Sequence, residues 1–340
     1  MDTGRFVLPS DSIVRLRRDL DAYEAERPAI IERVRRRTLP VMGAYTAAAA
    51  ASIWATWPIL TRGFDDFFAI AVLVVIGLAG AGARIFARQP ALLLQSTLRD
   101  RLFPLVFGFV EEFRHAIGTK PAFIADFPAE LTGSYTKQSF DDSISGRFDG
   151  MAFELCEATL SFDATKSVDD TVFRGLILAM SLPRPFPGRF FATRKLGGIS
   201  KWVRDTFQDN GLATVSSGTP AIDDAYDFRT DNAIVAAGLL AGRLDRALAY
   251  VAEAWPGEPA RLGLVGARGF LLLPTARGRD LFELPGVDER IDFDRHIAPM
   301  IAELGRILSI GRLMARASEI PKTENDGTPD GSDETKVNPP

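Results

Sequence analysis

Two uncharged stretches stand near the start of the chain, Val41–Thr61 and Phe67–Ala83, separated only by Arg62, Gly63, Phe64, Asp65 and Asp66. As helices they are about 31 and 25 Å long at 1.5 Å per residue, against a bilayer core of about 30 Å. The pattern predicts a two-helix transmembrane hairpin over residues 41–86, the second helix drawing on its flanks to complete the crossing. The first span is moderately apolar: Ala47–Ala51 adds little, and Thr46, Ser52 and Thr56 are polar. Ile53, Trp54, Trp57, Ile59 and Leu60 restore it. The second, from Phe68 to Gly82, is the stronger. Gly43, Ala47, Ala51 and Ala55 recur at four-residue spacing, as do Gly77 and Ala81. Such stripes let helix backbones approach closely. They predict packing within the hairpin first, and contacts in a homo-oligomer second.

The rest of the pattern divides into four further segments. Residues 1–40 read as an N-terminal helix, with Ile13, Leu16, Leu20 and Tyr23 at helical spacing and Pro28 expected to kink or restart it. Residues 87–133 read as a juxtamembrane helix and linker. Its helix covers Pro90–Gly118, on a stripe of Leu94, Leu98, Leu102, Leu105, Phe109 and Phe113. From residue 134 to 317 the pattern is mixed. Met151, Phe153 and Leu155 alternate with Ala152, Glu154 and Cys156, as in a half-buried strand. Phe173–Leu182 reads as a central strand, joined through the breaker-rich Pro183–Gly188 to Arg189–Leu196 as a hairpin. Tyr226–Arg229, Arg261–Val265, Gly269–Leu273 and Leu281–Leu284 read as short strands, and Asn232–Ala254 and Phe293–Ala317 as helices. Hairpin-linked strands with appended helices predict an α+β domain with a largely antiparallel sheet. Residues 318–340 hold almost nothing to bury and are expected to be a disordered tail.

Charge sets the orientation of the hairpin. Arg33, Arg35, Arg36 and Arg37 precede the first span, and Arg84, Arg88, Arg99 and Arg101 follow the second. Cations are retained on the cytoplasmic side, so both termini are expected there, with a lipid bilayer as partner through residues 41–86. No short hydrophobic region precedes the first apolar run, which argues against a cleaved leader. The formal net charge of −4 over 340 residues gives no footprint for nucleic acid. The single cysteine, Cys156, excludes an internal disulfide and fits a reducing compartment.

Catalytic chemistry leaves little trace. The two histidines, His115 and His296, both read as helical and stand far apart without neighbouring ligands, so no metal site, cofactor site or catalytic residue is assigned. Phosphate-binding loops and nucleophile elbows are absent from the sequence. The best acidic set is Asp141, Asp142, Asp149, Glu154 and Glu157, read first as solvated strand and turn residues. Gly146 and Gly150 flank Arg147, Phe148 and Asp149 and read as a turn or bulge. Cys156 reads as a small buried filler.

The order of certain segments is informative. After the two spans come Ser145-Gly-Arg-Phe-Asp-Gly-Met-Ala-Phe-Glu-Leu-Cys-Glu-Ala, then Val172-Phe-Arg-Gly-Leu-Ile-Leu, then a short basic proline-containing turn and Gly188-Arg-Phe-Phe. Tyr226-Asp-Phe-Arg-Thr-Asp-Asn-Ala-Ile-Val-Ala leads into a helix. Up to Ala317 the chain resembles a bacterial membrane family, domain-of-unknown-function family 3137. It departs at Ala225-Tyr226-Asp227, where that family usually carries phenylalanine and glutamate. The resemblance implies a bacterial inner-membrane protein with a cytoplasmic domain, and no activity. The expected function is a membrane-anchored cytoplasmic binding or scaffold module with a protein partner. The alternative is a membrane-tethered enzyme or small-ligand receptor in which the acidic set converges with Arg147 and Arg174.

Overall fold

A computed structural model describes residues 10–60, 66–162, 171–195, 211–276 and 281–319. The expected turn at 62–65 and the expected tail beyond Glu319 lie outside the described residues. The fold is α+β, with antiparallel strand pairs and several helices, as the pattern predicts. The chain weaves two compact units. One takes Met1–Pro121, Ser139–Ala158 and Thr275–Ile310; the other takes Ala122–Gln138, Thr159–Pro274 and Gly311–Pro340.

In the first unit, helix α1 spans Ser10–Leu60 and helix α2 spans Asp66–Val106. The helix does not restart at Pro28, and α1 is continuous through it. A proline inside a helix loses one hydrogen bond and crowds the preceding turn. Here contacts just before it hold the helix: Glu24 Oε1 accepts from the Ile291 amide at 2.9 Å, and Arg27 Nη1 donates to the Val287 carbonyl at 3.4 Å. The two helices pack beyond their apolar stretches. Leu16, Leu20 and Tyr23 of α1 are buried, as are Ala87, Ala91, Leu98 and Leu102 of α2.

Helix α2 ends well before Gly118. Strand β1, Glu111–Ile117, follows a turn closed by the Val110 amide on the Phe107 carbonyl at 2.8 Å. His115 is therefore on a strand, not a helix. The misreading has a simple origin. The four-residue step from Phe109 to Phe113 fits a helix, but it is also an even step that suits a strand. Phe113 and His115 then alternate with the exposed Glu112, Arg114 and Ala116.

Strand β1 pairs antiparallel with β2, Lys137–Phe148, across a bulge between Glu111 and Arg114. Glu112 has φ 54° there. Gly146 faces the bulge, where a Cβ would sit 2.6 Å from the Glu111 carbonyl oxygen and from Val110 Cγ1. Asp149 (φ 52°) and Gly150 (φ 80°) turn β2 into β3, Met151–Ser161. Two successive positive φ angles on Asp-Gly are the signature of a tight hairpin.

In the second unit, strand β4 spans Thr171–Arg194 without interruption, so the hairpin expected at Pro183–Gly188 is absent. Its partner β7, Arg261–Pro274, is likewise one strand rather than two. The pairing runs from Gly175 opposite Pro274 to Ala192 opposite Leu262, with register shifts between Ser181 and Phe186 and between Phe186 and Arg189. Pro183, Pro185 and Pro187 fall in those gaps, where no ladder donor is required. Gly266, φ 54°, bends β7 at the matching level. Strand β5, Ala213–Val215, and helix α3, Pro220–Ala225, precede β6, Tyr226–Thr230. Strand β6 pairs antiparallel with β5 and with Phe190–Arg194 of β4.

A side-chain latch fixes the bend in β4. The Arg189 amide donates to Asp231 Oδ1 at 2.7 Å and its Nε to Oδ2 at 3.0 Å. Burial raises the Asp231 carboxyl, but these bonds outweigh it and hold the group below its ordinary range. Gly188, φ 126°, leaves room for that carboxylate, which a Cβ there would strike.

The helix expected over Asn232–Ala254 is present with a break. Asn232 Oδ1 accepts from the Val235 amide and starts α4, Ala233–Leu239. A π-helical turn over Leu240–Leu244, with Gly242 out of helical geometry, leads into α5, Asp245–Ala254. Leu281–Leu284 is not a strand, although Phe282 and Leu284 are buried. Alternating burial there comes from side chains seated under an irregular segment. Asp292 caps a π-helical turn over Phe293–Ile297 that continues as α6, Ala298–Ala317. Phe153, Leu155, Leu176, Leu178, Phe190, Leu244, Leu248, Leu272, Leu304 and Leu308, which the sequence places on apolar strand or helix faces, are all buried.

Candidate functional site

The largest anomaly on the molecule is apolar surface on α2. Among the described residues, the segment Ile70–Ala87 is long and apolar enough to cross a membrane, with mean hydropathy 2.2 and 6% of it buried. Ile70, Leu73, Val74, Val75, Leu78, Ile85 and Phe86 are all exposed. An exposed contiguous patch of this kind marks an interaction surface rather than a core. On α1, Ile53 and Trp54 are exposed as well, Trp54 at 81%. The side chains of Trp57, Phe64, Phe67 and Phe68 lie outside the described residues.

The helices meet through a contact that differs from the expected stripes. Tyr45 Oη donates to the Ile76 carbonyl at 2.7 Å. It lies over Gly80, where a Cβ would be 2.7 Å from that oxygen. Gly43 and Gly77 have open space around the Cβ position, and Ala47, Ala51, Ala55 and Ala81 are exposed. The small-residue stripes thus do not pack the hairpin. Tyr45 projects across the gap and needs a glycine opposite it. Further along, the Arg37 guanidinium stacks over the Phe86 ring, 4.3 Å from its centroid. These two contacts set α1 and α2 antiparallel at matching levels.

The acidic set does not behave as one group. Neighbouring strand residues point to opposite faces. Asp141 is exposed on β2 while Asp142 is buried; Glu154 on β3 is half-buried and Glu157 is buried. Asp149 sits in the hairpin turn. Arg147 is exposed, with Nη2 donating to the Gly150 carbonyl at 3.4 Å, and Arg174 Nε donates to Thr159 Oγ1 at 3.4 Å. Among the described residues, no group of three or more His, Cys, Asp and Glu could hold a metal ion. Cys156 is fully buried.

One member of the set joins a cluster that sequence spacing does not reveal. Asp142 Oδ1 lies 2.7 Å from His115 Nε2 and 3.5 Å from Arg99 Nη1. The His115 ring meets Phe103 edge-on at 4.7 Å. Three elements, α2, β1 and β2, converge on one carboxylate, each group largely shielded from water. With its ring nitrogen committed to Asp142, His115 serves to tie the strand pair to α2. His296 is also committed locally: its Nδ1 accepts from the Asp292 amide at 2.9 Å. Replacing Asp142 by Ala is expected to cost about 2–3 kcal/mol, because Arg99 and His115 are left buried without their acceptor. Chemical denaturation of the full chain measures this. A loss below about 0.5 kcal/mol would show that the cluster is incidental.

A cleft of about 120 Å³ between α1 and α2 is lined by Asp19, Tyr23, Glu26, Leu98 and Arg101. It is smaller than ordinary ligand pockets.

No family model and no curated protein matches the chain. Among solved structures, the chain is similar to the crystal structure of the mycobacterial trehalose monomycolate transport factor A, TtfA, at a TM-score of 0.32 and 9% sequence identity, covering 61% of this chain and 88% of that one. A likeness at that level carries no functional conclusion.

Proposed function

We propose that this chain is a membrane-anchored binding or scaffold module, related to domain-of-unknown-function family 3137. Helices α1 and α2 form a transmembrane hairpin through residues 41–86, and the α+β portion recruits a protein partner on the cytoplasmic face of a bacterial inner membrane. The exposed apolar face of α2 carries this reading, because water is a poor solvent for so long an apolar segment. The arginines on both sides of the hairpin support a cytoplasmic location for both termini. Dispersal of the acidic residues over turns, strand faces and a structural cluster supports binding over catalysis.

The test is topological. A reporter active only in the periplasm is fused at Gly63 and, separately, after Ala317. Activity at Gly63 alone is expected. Activity after Ala317 with none at Gly63 reverses the orientation, and activity at both sites removes the hairpin. Affinity purification of the full chain from mild detergent, against a control lacking residues 41–86, then identifies the partner.

A further inference from the structure

We infer that the base of the hairpin is a binding band for anionic phospholipid headgroups, built from Arg33, Arg35, Arg37 and Arg84. This rests on the membrane reading and goes beyond it by naming the lipid class and the residues that recognise it.

The first support is depth. The Arg37–Phe86 stack places those two residues at one level of the hairpin. Arg33 lies about 6 Å from Arg37 along the helix axis, and Arg84 about 3 Å from Phe86 on the apolar side. The backbone positions of these arginines therefore span a band about 9 Å deep, close to the ~5–8 Å of headgroup layer on each face of a bilayer. Exposed Leu39, Ile85 and Phe86 lie within a few residues of the band, at the junction with the apolar segment.

The second support is charge without a partner. Among the described residues, Arg33, Arg35, Arg37 and Arg84 have no carboxylate within ion-pair distance. Glu32, the one acidic residue nearby, is taken by Arg36 at 2.7 Å. No Asp or Glu occurs from Arg33 to Thr61 or from Phe67 to Arg99. Farther from the apolar segment, Arg27 pairs with Glu24 at 2.9 Å and Arg99 with Asp142 at 3.5 Å. Four cations without carboxylate partners thus stand together at the level where phosphates would stand.

The third support is residue type. Each cation in the band is arginine, whose planar fork donates two parallel hydrogen bonds to a phosphate. The Phe86 ring holds the Arg37 guanidinium in place without consuming its charge.

The test uses the full chain in vesicles of phosphatidylcholine and of phosphatidylcholine with phosphatidylglycerol. Flotation reads incorporation. Native mass spectrometry after mild detergent extraction reads the lipids that remain bound. Wild type is expected to enter both vesicles and to retain phosphatidylglycerol above its bulk share. The triple variant Arg33→Gln, Arg37→Gln, Arg84→Gln should float equally well and lose the preference, by about fivefold for each arginine. Free glycerol phosphate should not displace the bound lipid. Retention at the bulk ratio, an undiminished preference in the floating variant, or displacement by glycerol phosphate overturns the inference alone. A wild-type chain that enters neither vesicle overturns the membrane reading as well.

Discussion

Arginine at both Leu73 and Leu78 is expected to release the chain from the membrane. These side chains are 63% and 68% exposed near the middle of the apolar segment of α2. Exchanging a central Leu for Arg disfavours insertion by about 3–4 kcal/mol, so the pair should cost about 6–8 kcal/mol. Neither side chain is buried in the protein, so the fold itself should lose little. The double variant should leave the fraction that resists alkaline extraction, where wild type stays. Leu93→Arg is the control: Leu93 is 67% exposed on the same helix but lies beyond Ile70–Ala87. It should remain membrane-bound. A double variant that still resists extraction would mean that the apolar segment of α2 does not carry the membrane attachment.

Truncating Phe190 to Ala is expected to destabilise the sheet portion by about 3–5 kcal/mol, the range for emptying a buried aromatic site. Phe190 is fully buried on β4, between Thr230 of β6 and Leu264 of β7. Its ring stacks with Phe228 at 6.0 Å and meets Phe186 at 6.1 Å. Phe228 in turn stacks with Tyr226 at 5.9 Å. One truncation thus opens a row of rings. Domains have only about 5–15 kcal/mol to lose, so the variant should unfold at much lower denaturant. Ile234, 88% exposed, gives the contrast: Ile234→Ala should stay within about 0.5 kcal/mol. A loss below about 1 kcal/mol for Phe190→Ala would show that the site collapses and refills.

The candidate site was partly legible. The apolar segment of α2 and the arginines around it could be read directly, because length, hydropathy and charge belong to the chain itself. The way α1 and α2 touch could not. Small-residue spacing pointed to Gly43 and Gly77, whereas Tyr45 reaches across to Gly80. A long side chain can choose its glycine only once two helices share a register. The Asp142 cluster was hidden for a related reason. His115 and Arg99 stand far from Asp142 in sequence, and His115 was placed on a helix by a spacing that suits both periods.

Local geometry decided much of the sheet. Alternation identified β3, Tyr226–Arg229 was read as the strand β6, and the glycines around Arg147–Asp149 announced the turn at Asp149-Gly150, because the pleat and positive φ act residue by residue. Proline near Phe186 announced a break in the ladder but not its outcome. The same break can close a hairpin or bend a strand, and here the partner strand chose. β7 pairs on both sides of the gap, so β4 runs through.

The sequence by itself determined the fold class, the buried positions, the apolar helix and its cationic flanks, since each follows from composition and period within a short window. Only the tertiary structure decided where α2 ends, whether a helix continues through Pro28, that β4 and β7 are single bent strands, and which carboxylate the buried His115 meets. Those outcomes depend on partners distant in the chain. A local pattern leaves several conformations within a few kcal/mol of one another, and long-range packing and hydrogen bonds select among them.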